Sequence, residues 1–281
     1  MPDVVAVVGA GLMGAGIAQV SAQAGYEVRL FDAEEASLDR GMASIHRSVT
    51  RLVDKGVVTD DVEEVTSRVT PTTSIDDLTT AFIAVEAVFE RLDVKQDVFR
   101  LLDQALPSGA ILATNTSALP ITTLAEATSR PDRVVGMHFF SPVPMMQLCE
   151  LVRGEQTSAE TLAESRAFAE NVGKTCVVVN RDIAGFVTTR LITALVVEAS
   201  RLAEAGIASV EDIDVACRLG FGHAMGPLET MDLIGIDVMV DAADNIAAET
   251  PGTTFAVPPL LRQMVEQGRL GRKTERGFYD Y

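Results

Sequence analysis

Few of the residues that build special chemistry are present in this chain of 281 residues. Cysteine occurs three times, at Cys149, Cys176 and Cys217, widely separated and with no CxxC pair or ligand-like cluster. That excludes a disulfide framework and offers no metal site, so the three read as reduced core residues. Basic residues are scarce too, 23 against 40 acids, for a formal net charge of −17. Such a charge repels a phosphate backbone, which argues against a nucleic-acid partner and leaves a small molecule or a protein. No apolar run approaches the roughly 18 residues of a membrane span, so no membrane partner is expected. The run Val4 to Val8 is short, has no basic segment before it and merges into a glycine motif. No signal peptide is read there, and a cytoplasmic location is expected. Internal repeats and low-complexity segments are also missing. What remains is 47% hydrophobic content, enough for real cores in one large or two moderate domains.

The most informative stretch is Val4 to Gly16, VVAVVGAGLMGAG, an apolar strand entering a glycine-rich turn that opens a helix. In its GxGxxG, Gly9 permits the tight turn, Gly11 lets backbone approach a pyrophosphate, and Gly14 lets the helix pack closely on the strand. Phosphates would sit on the unpaired N–H groups of the first helical turn, around Leu12 and Met13. Such a turn alone also serves merely to join a strand to a helix. Here a second strand, Glu27 to Phe31, ends in Asp32, at the spacing where an acid accepts from an adenosine ribose. Asp32 repels a 2′-phosphate and Ala33 offers no arginine to receive one, so NAD is expected over NADP.

A helix follows over Ala36 to Lys55, with Arg47, Arg51 and Lys55 on one face. That stripe suits the phosphates of a second ligand, and equally a solvated face. Ala81 to Val88 reads as a strand, Asp93 to Leu106 as a helix, and Ala110 to Ala113 as a buried strand. The alternation predicts an α/β fold with a parallel, doubly wound sheet. Ligands bind outside the carboxyl ends of such strands. The polar cluster Thr114, Asn115, Thr116 and Ser117 is therefore expected to point into the cleft, with Glu90 and Lys95 lining the same edge. Val134 to Phe139 is a strand with His138 near its end. After a loop turned by Pro142 and Pro144, Leu148 to Val152 carries Glu150. Side by side, these strands let His138 and Glu150 meet, although each residue alone fits a structural role. Helix Thr161 to Val172 and strand Thr175 to Val179 complete this half. From Phe186 the pattern is helical: Phe186 to Ala205, Ser209 to Leu219, Pro227 to Ala248 and Pro258 to Gln267. The first of these is apolar nearly all round and predicts burial, at a subunit interface or within the chain.

VVGAGLMGAG, ATNTSALPI, GMHFFSPVPMMQLCELV, GFVTTR, EDIDVACRLGFGHAMGPLE and GRKTERGFYDY stand in this order along the chain. With them the chain resembles the L-3-hydroxyacyl-CoA dehydrogenase family over essentially its whole length, and looks closest to the bacterial 3-hydroxybutyryl-CoA dehydrogenases. The resemblance implies a Rossmann-like NAD-binding domain over residues 1–183 and an all-α substrate and dimerisation domain over 184–281, forming a homodimer, with acyl-CoA between the domains. It implies NAD contacts at Asp32, Glu90, Lys95, Asn115, Ser117 and Lys273, and CoA contacts at Ser48, Lys55 and Ser117. His138 becomes the acid/base and Glu150 its orienting partner, with Ser117 on the reacting oxygen. One departure falls in GFVTTR, where Thr189 stands in place of the family's usual asparagine, itself a substrate-binding group. The implied reaction is NAD-dependent interconversion of short-chain (S)-3-hydroxyacyl-CoA and 3-ketoacyl-CoA. The alternatives are a carrier-bound or free 3-hydroxy acid as substrate, or a non-catalytic NAD-binding dimer.

Overall fold

The computed structural model describes residues 3–281, which fall into two compact units, one ending at Asp182 and the other comprising Ile183–Tyr281. The first is built on β1 (Val4–Val8), β2 (Glu27–Phe31), β3 (Val69–Thr72), β4 (Ala81–Glu86), β5 (Ile111–Thr114), β6 (Val134–Phe139), β7 (Leu148–Val152) and β8 (Thr175–Val179). Its helices are α1 (Leu12–Gln23), α2 (Glu35–Asp54), α3 (Val62–Ser67), α4 (Leu92–Ala105), α5 (Ile121–Ala125) and α6 (Ala159–Asn171). The eight strands form one sheet in the order β3-β2-β1-β4-β5-β6-β7-β8. The chain leaves β1 toward β2 on one side and returns to β4 on the other. That reversal opens a crevice at the carboxyl end of β1, where doubly wound sheets bind ligands.

Strands as apolar as VVAVV are stable only when covered on both faces, and Val5, Val7, Ile83, Val85, Ile111 and Ala113 are fully buried. Helix α1 achieves its close seat through small residues, with Gly14, Ala15, Gly16 and Ala18 all buried. Three features depart from the expected sheet. β6 and β7 pair antiparallel, because an eight-residue loop is too short for a parallel crossover. β3 and α3 stand where no element was expected; Pro71 lies inside β3, which is tolerated because β3 is an edge strand. Thr114 and Thr116 are fully buried rather than facing a cleft.

The second unit contains α7 (Thr188–Glu204), α8 (Val210–Phe221), α9 (Pro227–Ile234), α10 (Ile236–Glu249) and α11 (Pro259–Glu266). The continuous helix expected over Pro227 to Ala248 is two helices, broken at Gly235, whose φ of 114° no α-helix accommodates. Helix α7 starts at Thr188, after Phe186 at φ 44°, and it is not buried all round, since Leu191 is 67% exposed. Val196, Met231, Ile236, Met239, Leu261 and Met264 form the largest apolar cluster here. The C-terminal tail is tied to two buried acids. Asp232 accepts from Phe278 N and Tyr279 N, each at 2.9 Å, and Asp214 from the Tyr279 hydroxyl at 2.8 Å. All three cysteines are free thiols, Cys149 and Cys217 buried and Cys176 half-buried. Among the described residues no helix is long and apolar enough to cross a membrane, and no group of acids, histidines and cysteines could hold a metal ion.

Candidate active site

Each glycine of the turn has a separate steric reason. Gly9 adopts φ 103°, and a Cβ there would fall 2.6 Å from the Ala87 carbonyl oxygen. A Cβ on Gly14 would sit 1.7 Å from Gly9 O, so only glycine lets α1 lie this close to β1. Gly11 differs, because a Cβ there would meet nothing within 4 Å; its bareness leaves room for a ligand, not for the fold. Helix α1 has no side-chain cap and no acid in its first turn. Its first N–H groups thus face the crevice with a favourable dipole, as an anion requires. Asp32 is fixed at the end of β2, its Oδ2 accepting from Ala10 N at 2.8 Å and its Oδ1 from Glu34 N at 3.1 Å. A dinucleotide fits this donor and acceptor set, with its diphosphate on the turn and a ribose at Asp32.

The β6–β7 ladder pairs His138 directly with Glu150. Residues opposite one another share a face, and His138 Nδ1 lies 2.8 Å from Glu150 Oε2. Glu150 is wholly buried and the His138 side chain 10% exposed; a carboxylate so deep requires a partner, and the imidazole supplies one. The Phe140 ring packs against the imidazole at 4.4 Å between centroids. His138 lines a cavity of about 290 Å³ together with Met13, Glu90, Asn115, Ser117 and Phe139. The structure thus brings together residues from β6, the α1 turn and the ends of β4 and β5.

Beneath that cavity lies a network centred on Glu86, a residue that the sequence did not single out. Glu86, fully buried at the end of β4, accepts from Lys95 Nζ at 2.6 Å, Val88 N at 2.7 Å and Thr114 Oγ1 at 2.7 Å. Lys95, 1% exposed, also pairs with Glu90 at 3.2 Å. Glu90 in turn accepts from the Thr116 hydroxyl, from Ser117 N at 3.0 Å and from Ala118 N at 3.3 Å. Glu90 therefore holds the loop that carries Ser117, and Lys95 holds Glu90. Asn115 Oδ1 accepts from Phe139 N at 2.9 Å, which ties β5 to β6 beside His138. The available signal for Glu86 was an acid ending an otherwise apolar strand. Lys174, nearly buried, donates to the carbonyls of Val143 and Met146 at 2.6 and 2.9 Å and pins the loop between the two dyad strands. Burial pushes its pKa down.

Both units match models of one known family. A model of the 3-hydroxyacyl-CoA dehydrogenase NAD-binding domain matches residues 4–183, and one of the same enzyme's C-terminal domain matches residues 185–281. The chain belongs to the 3-hydroxyacyl-CoA dehydrogenase family. A 3-hydroxybutyryl-CoA dehydrogenase of Clostridioides difficile is 42% identical over 277 residues, 98% of each chain. Another, from Mycobacterium tuberculosis, is 43% identical over 279 residues, 99% of this chain and 98% of the relative. The crystal structure of (S)-3-hydroxybutyryl-CoA dehydrogenase from Ralstonia eutropha superposes with a TM-score of 0.96 at 40% identity, covering 100% of this chain and 99% of that one.

Within this dehydrogenase framework the other expected residues stand on other elements. Ser48 is half-buried on α2, and Lys55, exposed, follows its last residue. In the second unit Thr189 is half-buried in the first turn of α7. Lys273 there holds both oxygens of Asp237, at 2.5 and 2.6 Å. Although burial works to raise the Asp237 pKa, the lysine holds it below the usual carboxylate value.

Proposed function

We propose that this chain catalyses the NAD-dependent oxidation of (S)-3-hydroxyacyl-CoA, with 3-hydroxybutyryl-CoA as substrate, to the 3-ketoacyl-CoA, and the reverse reduction. The observation that carries the reading is the His138–Glu150 pair at 2.8 Å, opening into a cavity shared with Ser117 and with Met13 of the glycine turn. NAD, when bound, accepts the hydride that leaves the hydroxyl-bearing carbon. His138 removes the hydroxyl proton at Nε2, since Nδ1 is engaged by Glu150, and returns it in the reducing direction. Glu150 fixes the tautomer and balances the imidazolium. The Ser117 hydroxyl donates to the reacting oxygen, and its loop is held in place by Glu90. Thr189 supplies a further hydroxyl to the substrate in place of an amide. Ser48 and Lys55 hold CoA, Asp32 the cofactor ribose, and Lys273 a cofactor contact it shares with Asp237.

We assign a homodimer to the helical unit, because it exposes large apolar side chains such as Leu191, Ile207, Leu219 and Phe221, at 67, 71, 83 and 71%. Patches of this kind mark protein interfaces.

The test is loss of nicotinamide absorbance with acetoacetyl-CoA, run with NADH and NADPH side by side and repeated with free acetoacetate. Rapid oxidation of NADH on the CoA ester alone is expected. Equal turnover of the free acid, or silence with NADH bound, overturns the substrate assignment.

A further inference from the structure

Glu86 ends β4 and is wholly buried, and neither the hydride nor the proton of the proposed reaction passes through it. Burying a charge is costly even when it is paired, and apolar residues of similar volume often serve a fold better. What sets Glu86 apart is where its two oxygens lead.

Its Oε1 accepts from Lys95 Nζ at 2.6 Å. The same ammonium lies 3.2 Å from Glu90 Oε2 and so fixes a carboxylate that is 42% exposed and would otherwise turn to water. With Oε2 engaged, Glu90 Oε1 faces the loop, where it accepts from the Thr116 hydroxyl, from Ser117 N at 3.0 Å and from Ala118 N at 3.3 Å. The other oxygen of Glu86, Oε2, accepts from the hydroxyl of Thr114, its neighbour in the β4–β5 ladder, at 2.7 Å. A hydroxyl has one hydrogen, so giving it to Glu86 leaves the Thr114 lone pairs for Thr116 N, 3.2 Å away. Both arms therefore end on the same turn, one just before Ser117 and the other on Ser117 and Ala118.

We infer that Glu86 is a positioning residue, whose carboxylate sets the Ser117 hydroxyl through Lys95 and Glu90 by one arm and through Thr114 by the other. The inference rests on the proposed dehydrogenase reading, in which Ser117 donates to the reacting oxygen. Such a donor has to be held to within about 0.5 Å, and loops hold side chains less closely than strands do. A buried carboxylate at the end of a central strand gives this loop the rigidity of the sheet.

The experiment uses Glu86→Gln in the full-length protein, which keeps the side chain's shape and removes the charge facing Lys95. Turnover of 3-hydroxybutyryl-CoA at saturating NAD is measured for this variant, for Ser117→Ala and for the two combined, and amide exchange at Thr116, Ser117 and Ala118 is followed without substrate. Glu86→Gln should lower kcat roughly 10- to 100-fold, the cost of a misplaced reacting group. In the Ser117→Ala background it should lower kcat less than about twofold further, because the hydroxyl to be positioned is gone. Exchange at Ser117 and Ala118 should quicken about tenfold. Thr114→Val cuts the second arm alone without changing charge. It should lower kcat by less and quicken exchange at Thr116, and it carries the test if Glu86→Gln fails to fold. Losses in kcat that multiply in the combined variant, or exchange unchanged at these amides, overturn the inference. Silence of the unsubstituted protein on the ester would count against the substrate assignment, and exchange, read without substrate, would still decide whether Glu86 sets the loop.

Discussion

Replacing Glu150 by glutamine separates charge from geometry at the dyad. The amide has the carboxylate's shape, and its oxygen can still accept from His138 Nδ1 at the observed 2.8 Å, so the β6–β7 ladder and the imidazole orientation are kept. Only the negative charge beside the imidazolium is lost. Unit charges about 4 Å apart interact by about 4 kcal/mol at an effective dielectric near 20. A charge-assisted hydrogen bond alone is worth about 1.5–3 kcal/mol. Between those bounds, kcat for alcohol oxidation should fall about 10- to 10³-fold. Glu150 is wholly buried on β7, with β4, β5 and β6 between it and β1, so the NADH dissociation constant should stay within twofold. Steady-state turnover of 3-hydroxybutyryl-CoA alongside NADH fluorescence titration gives both numbers. A kcat within twofold of the unsubstituted enzyme, with histidine still required, would show that the carboxylate only supports the fold and would refute the charge argument.

Asp32→Ala should narrow the preference for NADH over NADPH, read as the ratio of the two dissociation constants, because the acid that repels a 2′-phosphate is gone; an unchanged ratio would sink the cofactor argument. Asp232→Ala strands Phe278 N and Tyr279 N, both held at 2.9 Å. It should cost about 2–4 kcal/mol in urea unfolding, with the C-terminal tail first to lose hydrogen-exchange protection. At Asp103, burial acts to raise the pKa, but hydrogen bonds from Ser129 and Arg130 hold it below 3.8. A depressed carboxylate contributes stability above its unfolded pKa and loses it as pH falls through the folded value. Asp103→Asn should therefore cost about 1.5–3 kcal/mol at neutral pH, a difference that shrinks toward zero below pH 3.8 in a denaturation series.

How legible a feature was in the sequence depended on whether its cause was local. The glycine turn, the Asp32 position and the His138 and Glu150 strands could be placed because each follows from periodicity or from a steric need visible within a few residues. β3 could not, since a four-residue VTPT segment is a strand only by virtue of the sheet edge it joins. The break at Gly235 was hidden by apolar spacing that runs on through α9 and α10; a single φ of 114° decides it, and glycine permits that value without announcing it. Helix α7 is a different case. Its apolar residues encircle the axis, yet this chain covers only part of that surface. Glu86, and its pairing with the expected Lys95, escaped for a different reason, because an ion pair nine residues apart depends on where β4 ends relative to the first turn of α4.

The reversal of β7 is what brings the dyad together. Had β7 run parallel to β6, a helix-length crossover would have been needed between them. Antiparallel pairing instead returns the chain past the cavity and places Glu150 mid-strand, opposite His138. The carboxylate thereby comes from rigid sheet and not from a loop. It is shielded from water on both sides, by the sheet and by the helix-covered core, and an orienting group must be held that closely to keep one tautomer. The connecting loop has to be fixed as well, and Lys174, reaching from the start of β8 to two of its carbonyls, does so without adding a competing carboxylate near the dyad. Inverting one strand pair thus converts two unremarkable residues, twelve apart in sequence, into a preset acid/base pair.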